Sequence, residues 1–371
     1  MKRMYNIVVG ICLTIGLLMC SQVTRAQETQ TAKSEANPVD VKEILFSHVG
    51  DTYEWHIATW GDLHLTIPLP IIVYSKATGW HAFLSSRLEE NGGAYEGFSL
   101  APEGSPYEGK IVERDKAGNE VRPFDISITK ITLALFINSL LLVCIVLGVA
   151  RWYKKHPKSP VAPGGFVGFM EMFIMMVNDD IIKPSVGPNY KKFAPYLLTA
   201  FFFIFINNLM GLIPIFPGGA SVTGNMAITL VLAACTFLAV NLFGTKAYWK
   251  DIFWPDVPLW LKVPIPIMPF IEFFGIFTKP FALMIRLFAN MLAGHMAMLV
   301  LTCLIFISVS MGPAMNGALT FASVLFNIFM NALELLVAFI QAYVFTMLSA
   351  VFIGLAQERH EPTKAEIKEA N

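Results

Sequence analysis

Met284-Ile285-Arg286-Leu287-Phe288-Ala289-Asn290-Met291 sets a fixed cation inside an apolar segment that runs over residues 280–308. A guanidinium keeps its charge in a protein. At the centre of a membrane-spanning helix it costs roughly 2.5 to 3.5 kcal/mol on insertion scales, so an arginine there faces a water path or a partner and marks an ion route. The nearest upstream acid, Glu272, lies about 21 Å away along a helix at 1.5 Å per residue. A mate for Arg286 is therefore expected on another segment or another subunit.

The surrounding composition places the chain in the membrane class. Of 371 residues, 55% are hydrophobic and 15% charged, and the mean hydropathy is +0.58, outside the range of soluble globular domains. A net charge of zero gives no attraction to nucleic acid. The five cysteines all fall in apolar runs and none is spaced as a metal or disulfide pair, so they are expected to be small core residues.

Lys2 and Arg3 precede an apolar stretch over residues 7–19, and Thr24-Arg25-Ala26 offers small residues before a cut. This reads as a secretory signal, residues 1–26, cleaved after Ala26. Lipidation at Cys20 is disfavoured by the bulk of Met19. Residues 27–128 form the main polar region, with strand-like runs at 53–59, 64–75 and 79–84. A small β-rich domain outside the membrane is expected. His48, His56, His64 and His81 lie within it at no recognisable metal spacing, and surface or packing roles are favoured.

The membrane domain is expected over residues 129–360. Residues 131–150 carry no charge and are long enough to cross ~30 Å of hydrocarbon. Arg151, Lys154, Lys155 and Lys158 follow, which makes that end cytoplasmic and places the N-terminal domain on the opposite face. Residues 165–182 contain Glu171 and Asn178-Asp179-Asp180 and are expected to lie along the cytoplasmic surface. Residues 193–216, with Asn207 and Asn208, then cross outward, and residues 225–244 return.

The last two segments are too long for upright spans. Residues 313–356 carry Glu334 as their only charge, and residues 318–353 hold neither Gly nor Pro, so a helix of roughly 54 Å is expected there. Residues 267–308 carry Glu272, Lys279 and Arg286. Joined at Met311-Gly312-Pro313, the two read as a hairpin laid obliquely in the membrane. The expected fold is thus an all-α polytopic membrane protein of about five membrane helices. One cytoplasmic interfacial helix, the β-rich N-terminal domain and a solvated cytoplasmic tail at 361–371 complete it.

On the final helix Ser323, Asn327, Asn331, Glu334 and Gln341 fall on one face at 100° per residue. Asn290 follows Arg286 by one helical turn, and His295 lies beyond it. Amides in membrane helices commonly bond neighbouring helices. Glu334 and His295 titrate, which favours a proton relay.

The run from Thr278-Lys279-Pro280 through Arg286 to Asn290-Met291, with Ala293-Gly294-His295 and Gln341-Ala342-Tyr343-Val344-Phe345, closely resembles subunit a of the F-type ATP synthase membrane sector. Asn207-Asn208-Leu209-Met210-Gly211-Leu212-Ile213-Pro214 resembles a second segment of that family. The resemblance covers roughly residues 128–360. It implies a static bacterial inner-membrane subunit whose tilted hairpin lies against the rotating c-ring, with subunit b of the peripheral stalk and the other synthase subunits as partners. Arg286 matches the essential stator arginine. His295, Glu334, Asn290 and Gln341 match positions along the two aqueous half-channels, and Asn331, Asn327, Asn207 and Asn208 are candidates for the same proton path. Glu272 and Lys279 are expected to give polar support. Many members carry Glu first and His second, whereas here His295 precedes Glu334. The transported ion is H⁺, with Na⁺ the alternative. No cofactor is implied, and with no nucleotide motif in the chain the ATP chemistry belongs to partners.

Two rivals stand beside this reading. A secondary transporter with Arg286 binding an anion predicts internal repeats and short broken helices, where the sequence has two unequal long segments. A metal-dependent membrane enzyme finds only His295 in the membrane core.

Overall fold

The computed structural model describes residues 50–60, 63–76, 78–102, 104–114, 120–156, 163–213, 216–254, 267–309 and 312–357. The expected signal segment, His48 and the C-terminal tail lie outside these residues.

The N-terminal region is β-rich. Strands β1 (Glu54–Trp60) and β2 (Leu63–Pro68) pair antiparallel. β3 (Pro70–Ser75) pairs with β4 (Gly79–Leu84). The run expected at 64–75 is therefore two strands. Pro68 and Pro70 flank Leu69, and proline cannot donate to a ladder. Leu69 instead exchanges bonds with Ser85, donating to its hydroxyl at 3.1 Å and accepting from its amide at 3.0 Å. A short helix α1 (Ser86–Glu90) leads to β5 (Ala94–Tyr95), β6 (Phe98–Leu100), β7 (Ile111–Arg114) and β8 (Glu120–Val121), a four-stranded antiparallel sheet in that order. β9 (Phe124–Asp125) returns to the free edge of β3. Ile71 and Val73 bury one face of β3 against Phe98, Ile111, Leu88 and Tyr53. The Tyr53 hydroxyl donates to Asp125 at 2.5 Å.

Helix α2 (Lys130–Lys155) starts at the cap Thr129, whose hydroxyl accepts from the Thr132 amide, and ends in Lys154 and Lys155. Its first amides, which no helix can satisfy internally, are taken by the β domain. Lys130 N–H donates to Thr52 O at 2.9 Å and Ile131 N–H to Asp51 Oδ1 at 3.2 Å. The domain is thereby clamped to the helix it precedes.

Next come α3 (Gly165–Met176), a π-helical segment (Val177–Ile182), α4 (Lys183–Val186), a 3₁₀ turn (Gly187–Asn189) and α5 (Tyr190–Leu212). The stretch expected as a separate surface helix is thus continuous in helical character with α5. Val177, Ile181 and Ile182 are buried, while Asp179 and Asp180 are exposed and Asp179 pairs with Lys183 at 2.5 Å. α6 (Met226–Leu242) is capped by Asn225, and α7 (Lys246–Phe253) by Thr245. The two long helices are α8 (Ile267–Ser308) and α9 (Pro313–Gln357), of 42 and 45 residues. Gly312, at φ +96°, supplies the left-handed residue that the junction needs, and Pro313 opens α9 where a helix has no use for the missing N–H.

Among the described residues four helical stretches are long and apolar enough to cross a membrane, or five if the pair α6 and α7, bent by 100°, forms one span. The core runs along α5, where Leu197, Phe201 and Ile204 are fully enclosed. α9 packs on α5, and its Ala338, Ala342, Thr346, Ser349 and Ala350 are all buried. Small side chains let the backbones approach, which is how helices gain packing energy in lipid. α6 packs on α8, and α8 on α9. Cys303 is buried, but Cys144 and Cys235 are exposed, which corrects the expectation of core cysteines. An apolar thiol on a helix facing lipid costs nothing to expose there.

Candidate functional site

α8 and α9 run antiparallel, because three cross-helix bonds climb one while descending the other. Ser308 donates to Asn316 at 2.8 Å, Asn327 to Thr302 at 2.9 Å, and His295 Nδ1 meets Glu334 Oε1 at 2.6 Å. The two titratable residues singled out on separate helices are therefore a bonded pair. Glu334 is 4% exposed. Its carboxyl group fits because Gly294 faces it. A Cβ at residue 294 would come within 3.0 Å of Glu334 Oε1. The second oxygen, Oε2, is buried with no hydrogen-bond partner among the described residues. An unpartnered buried carboxylate oxygen is costly to keep dry, so Oε2 is the polar atom of this pair still short of a partner among the described residues.

The polar stripe on α9 divides. Ser323, Glu334 and Gln341 are buried, Asn327 is half-buried and Asn331 is exposed. Asn331 sits at the edge of the arc and satisfies its amide on the Asn327 carbonyl at 2.9 Å. Asn207 and Asn208 are buried on α5 and each is tied into a network. Asn138 of α2 donates to Asn207 Oδ1 at 3.0 Å. Thr223 donates to Asn208 Oδ1 at 2.5 Å, and Asn208 donates to the carbonyl of Ala338, one turn beyond Glu334, at 3.4 Å. Asn138, Thr223 and Thr302 were not singled out from the sequence, and Gly294 entered only as part of the Ala293-Gly294-His295 motif. Asn138 had a signal, a lone amide in an uncharged span; Thr223 had none, because its role depends on how a loop folds back.

Arg286 lies outside this cluster. It is exposed on α8 together with Ala289 and Asn290, while Leu283, Leu287 and Met291 on the opposite flank are buried. Among the described residues it has no hydrogen-bond or ion-pair partner. No acid on another described segment of this chain meets it. Glu272 is half-buried. Lys279 is exposed, with its ammonium 5.8 Å from the centre of the Phe352 ring. In the β domain His81 bonds Glu96 at 2.6 Å and Thr78 at 2.8 Å, and His56 is exposed. The side chain of His64 is outside the described set.

Membrane-length helices that bury a carboxylate with an imidazole, and carry an unpaired arginine on the exposed face of one of them, define a polytopic membrane protein with ionisable groups at membrane depth. The sequence model described as ATP synthase A chain matches residues 134–354, and the chain belongs to that family. A second model, described as a domain of unknown function, matches residues 44–126. The chain is 44% identical over 245 residues to ATP synthase subunit a of Chlorobium phaeobacteroides, covering 64% of this chain and 67% of the relative. It is 45% identical over 246 residues to ATP synthase subunit a 2 of Chlorobaculum tepidum, covering 64% and 65%. To ATP synthase subunit a of Myxococcus xanthus it is 40% identical over 238 residues, covering 62% and 73%.

Proposed function

We propose that this chain is the proton-translocating stator subunit of an F-type ATP synthase, and that Arg286 faces the c-ring. The observation that carries this reading is an exposed guanidinium without a partner on α8, next to a flank of the same helix that is packed in the protein. A fixed charge at membrane depth needs a carboxylate. With no acid of this chain in reach among the described residues, the rotor's carboxylate is the mate. At ~4 Å and an effective dielectric near 20 such a pair is worth about 4 kcal/mol, or roughly three pKa units. That suffices to strip a proton from a rotor carboxylate as it passes.

In this account the proton leaves the rotor beside Arg286 into one half-channel, and the ring is reprotonated from the other after nearly a full turn. The guanidinium repels a proton that would pass directly between the channels. His295 and Glu334 hand the proton between solvent and rotor in one half-channel, with Asn290, Asn327, Asn331, Gln341, Asn207 and Asn208 supporting the path. Glu272 and Lys279 give polar support. Each charge moved across supplies roughly 2.3 kcal/mol per 100 mV, which the ring turns into torque. Helices of 42 and 45 residues measure roughly 63 and 68 Å, so α8 and α9 lie tilted strongly across ~30 Å of hydrocarbon. Residues 27–128 sit on the external face and the C-terminus in the cytoplasm, in a bacterial inner membrane, with residues 165–182 near the cytoplasmic surface. Subunit b of the peripheral stalk holds the chain against the ring.

The face assignment is tested by cross-linking in a background with Cys144 and Cys235 replaced by Ser. Ala289→Cys, on the exposed face, is expected to form a disulfide with a cysteine on the outer c-ring helix. Met291→Cys, on the packed face, is expected to form none. The reverse pattern contradicts the reading.

A further inference from the structure

The β domain reaches the proton route through one aromatic side chain. Trp55 of β1 is 3% exposed, and its ring meets Phe216 edge-on with centroids 5.1 Å apart. Ala134 of α2 and Ala220 and Val222 of the loop between α5 and α6 close the same cluster. That loop is the outer wall of the site. Its Gly219 N–H donates to the Met210 carbonyl at 3.2 Å, and its Thr223 holds Asn208, which bonds α9 beside Glu334. A Cβ at Gly211 would touch Ala220 O, Ser221 Cα and His295 Cε1 at 3.6, 3.7 and 3.8 Å. The loop and the imidazole thus both lie within ordinary contact distance of the same point beside Gly211. Ser221 Oγ is buried there with no hydrogen-bond partner among the described residues. Glu334 is the ionisable group bonded to His295 among those residues.

We propose that the N-terminal domain sets the outer access to the proton route, with Trp55 as a positioning residue that presses the 216–224 loop onto the His295 side of α5. The proposal rests on the proton-route reading above. The clamp that Asp51 and Thr52 place on the start of α2 fixes the domain's height and angle. Trp55 transmits that placement to the loop, and the loop sets how closely Ala220 and Ser221 cover the imidazole. A chain without this domain would have to hold the loop by other means.

The test uses the complete synthase reconstituted in liposomes. ATP synthesis is driven at constant membrane potential while the pH of the compartment facing the N-terminal domain is varied. Trp55→Ala is expected to change the synthesis rate roughly 2- to 30-fold, the range for residues that couple sites without touching the chemistry, and to move the pH of half-maximal rate on that side only. Trp55→Phe, which keeps a ring against Phe216, is expected to restore most of the wild-type profile. Trp80→Ala, on an exposed strand position of the same domain, is expected to leave it unchanged. If Trp55→Ala does not assemble, Phe216→Ala removes the contact from the loop side and is expected to give the same shift. Assembled Trp55→Ala or Phe216→Ala complexes with the wild-type profile would overturn the proposal alone. A wild type indifferent to pH on that side would overturn the proton-route reading and this proposal with it.

Discussion

At residue scale the carboxyl of Glu334 carries the most weight. His295 satisfies one of its oxygens and the other is buried without a partner among the described residues. Glu334→Gln keeps the shape and a bond to His295 but removes the titration. Proton pumping by the assembled complex is expected to fall roughly a hundredfold, the low end of general acid–base contributions, and Glu334→Asp to fall less. Pumping by Glu334→Gln at wild-type rate would reduce the pair to packing. In the β-rich N-terminal region, burial and then the hydrogen bond to Asp125 raise the Tyr53 phenol above its ordinary range. A folded-state value above the unfolded one stabilises fully below about pH 10 and is lost as pH rises through the folded value. Tryptophan fluorescence of the purified complex is therefore expected to report alkaline loosening of the β domain starting above about pH 10. Tyr53→Phe is expected to remove that dependence and to cost about 1.5 to 3 kcal/mol at neutral pH. The titratable residues were legible in the sequence because charge in an apolar run is conspicuous. Their partnership was not, since residues 39 apart meet only once two helices are set in register.

At the scale of elements, composition alone located both long helices. α9 runs over Pro313–Gln357 as the lack of Gly and Pro over residues 318–353 implied, and Pro280 sits inside α8 without ending it. The β region was less legible. Its alternating runs were visible, but the break at Leu69 follows from two prolines whose effect depends on which neighbour each strand would pair with. The close approach of α9 to α4 was hidden for a related reason, because it is made by an absence. A Cβ at Gly354 would lie 1.9 Å from Ser185 O and 3.0 Å from its carbonyl carbon. Backbone cannot yield as a flexible side chain can, so Gly354→Ala is expected to cost about 3 kcal/mol, the upper end of overpacking. Gly317, with nothing within 4 Å, is the control. Gly317→Ala is expected to be neutral or to stabilise by up to about 1 kcal/mol. Thermal melts of the detergent-solubilised complex compare the two, and equal melting temperatures would contradict the close approach.

At the scale of the molecule two units meet along a narrow front. The β domain caps the first amides of α2 and packs Trp55 on the loop that walls the polar network. The membrane helices behind it divide their polar groups between two surfaces. His295, Glu334, Asn207, Asn208 and Gln341 are enclosed or nearly so, whereas Arg286, Asn290 and Asn331 stand on the outer face. The family resemblance in the arginine motif pointed to these residues together, but the division between them is a property of packing that helical spacing alone does not supply. It is also what the central claim depends on, because an exposed arginine with no partner among the described residues is expected to find its carboxylate on another chain. The most direct measurement is ATP-driven acidification of inverted membrane vesicles with wild type and Arg286→Ala, with passive proton leak recorded in the same preparation. The account predicts an assembled Arg286→Ala complex that no longer pumps, with leak equal to or above wild type. Undiminished pumping by Arg286→Ala would contradict it and return the transporter reading to consideration.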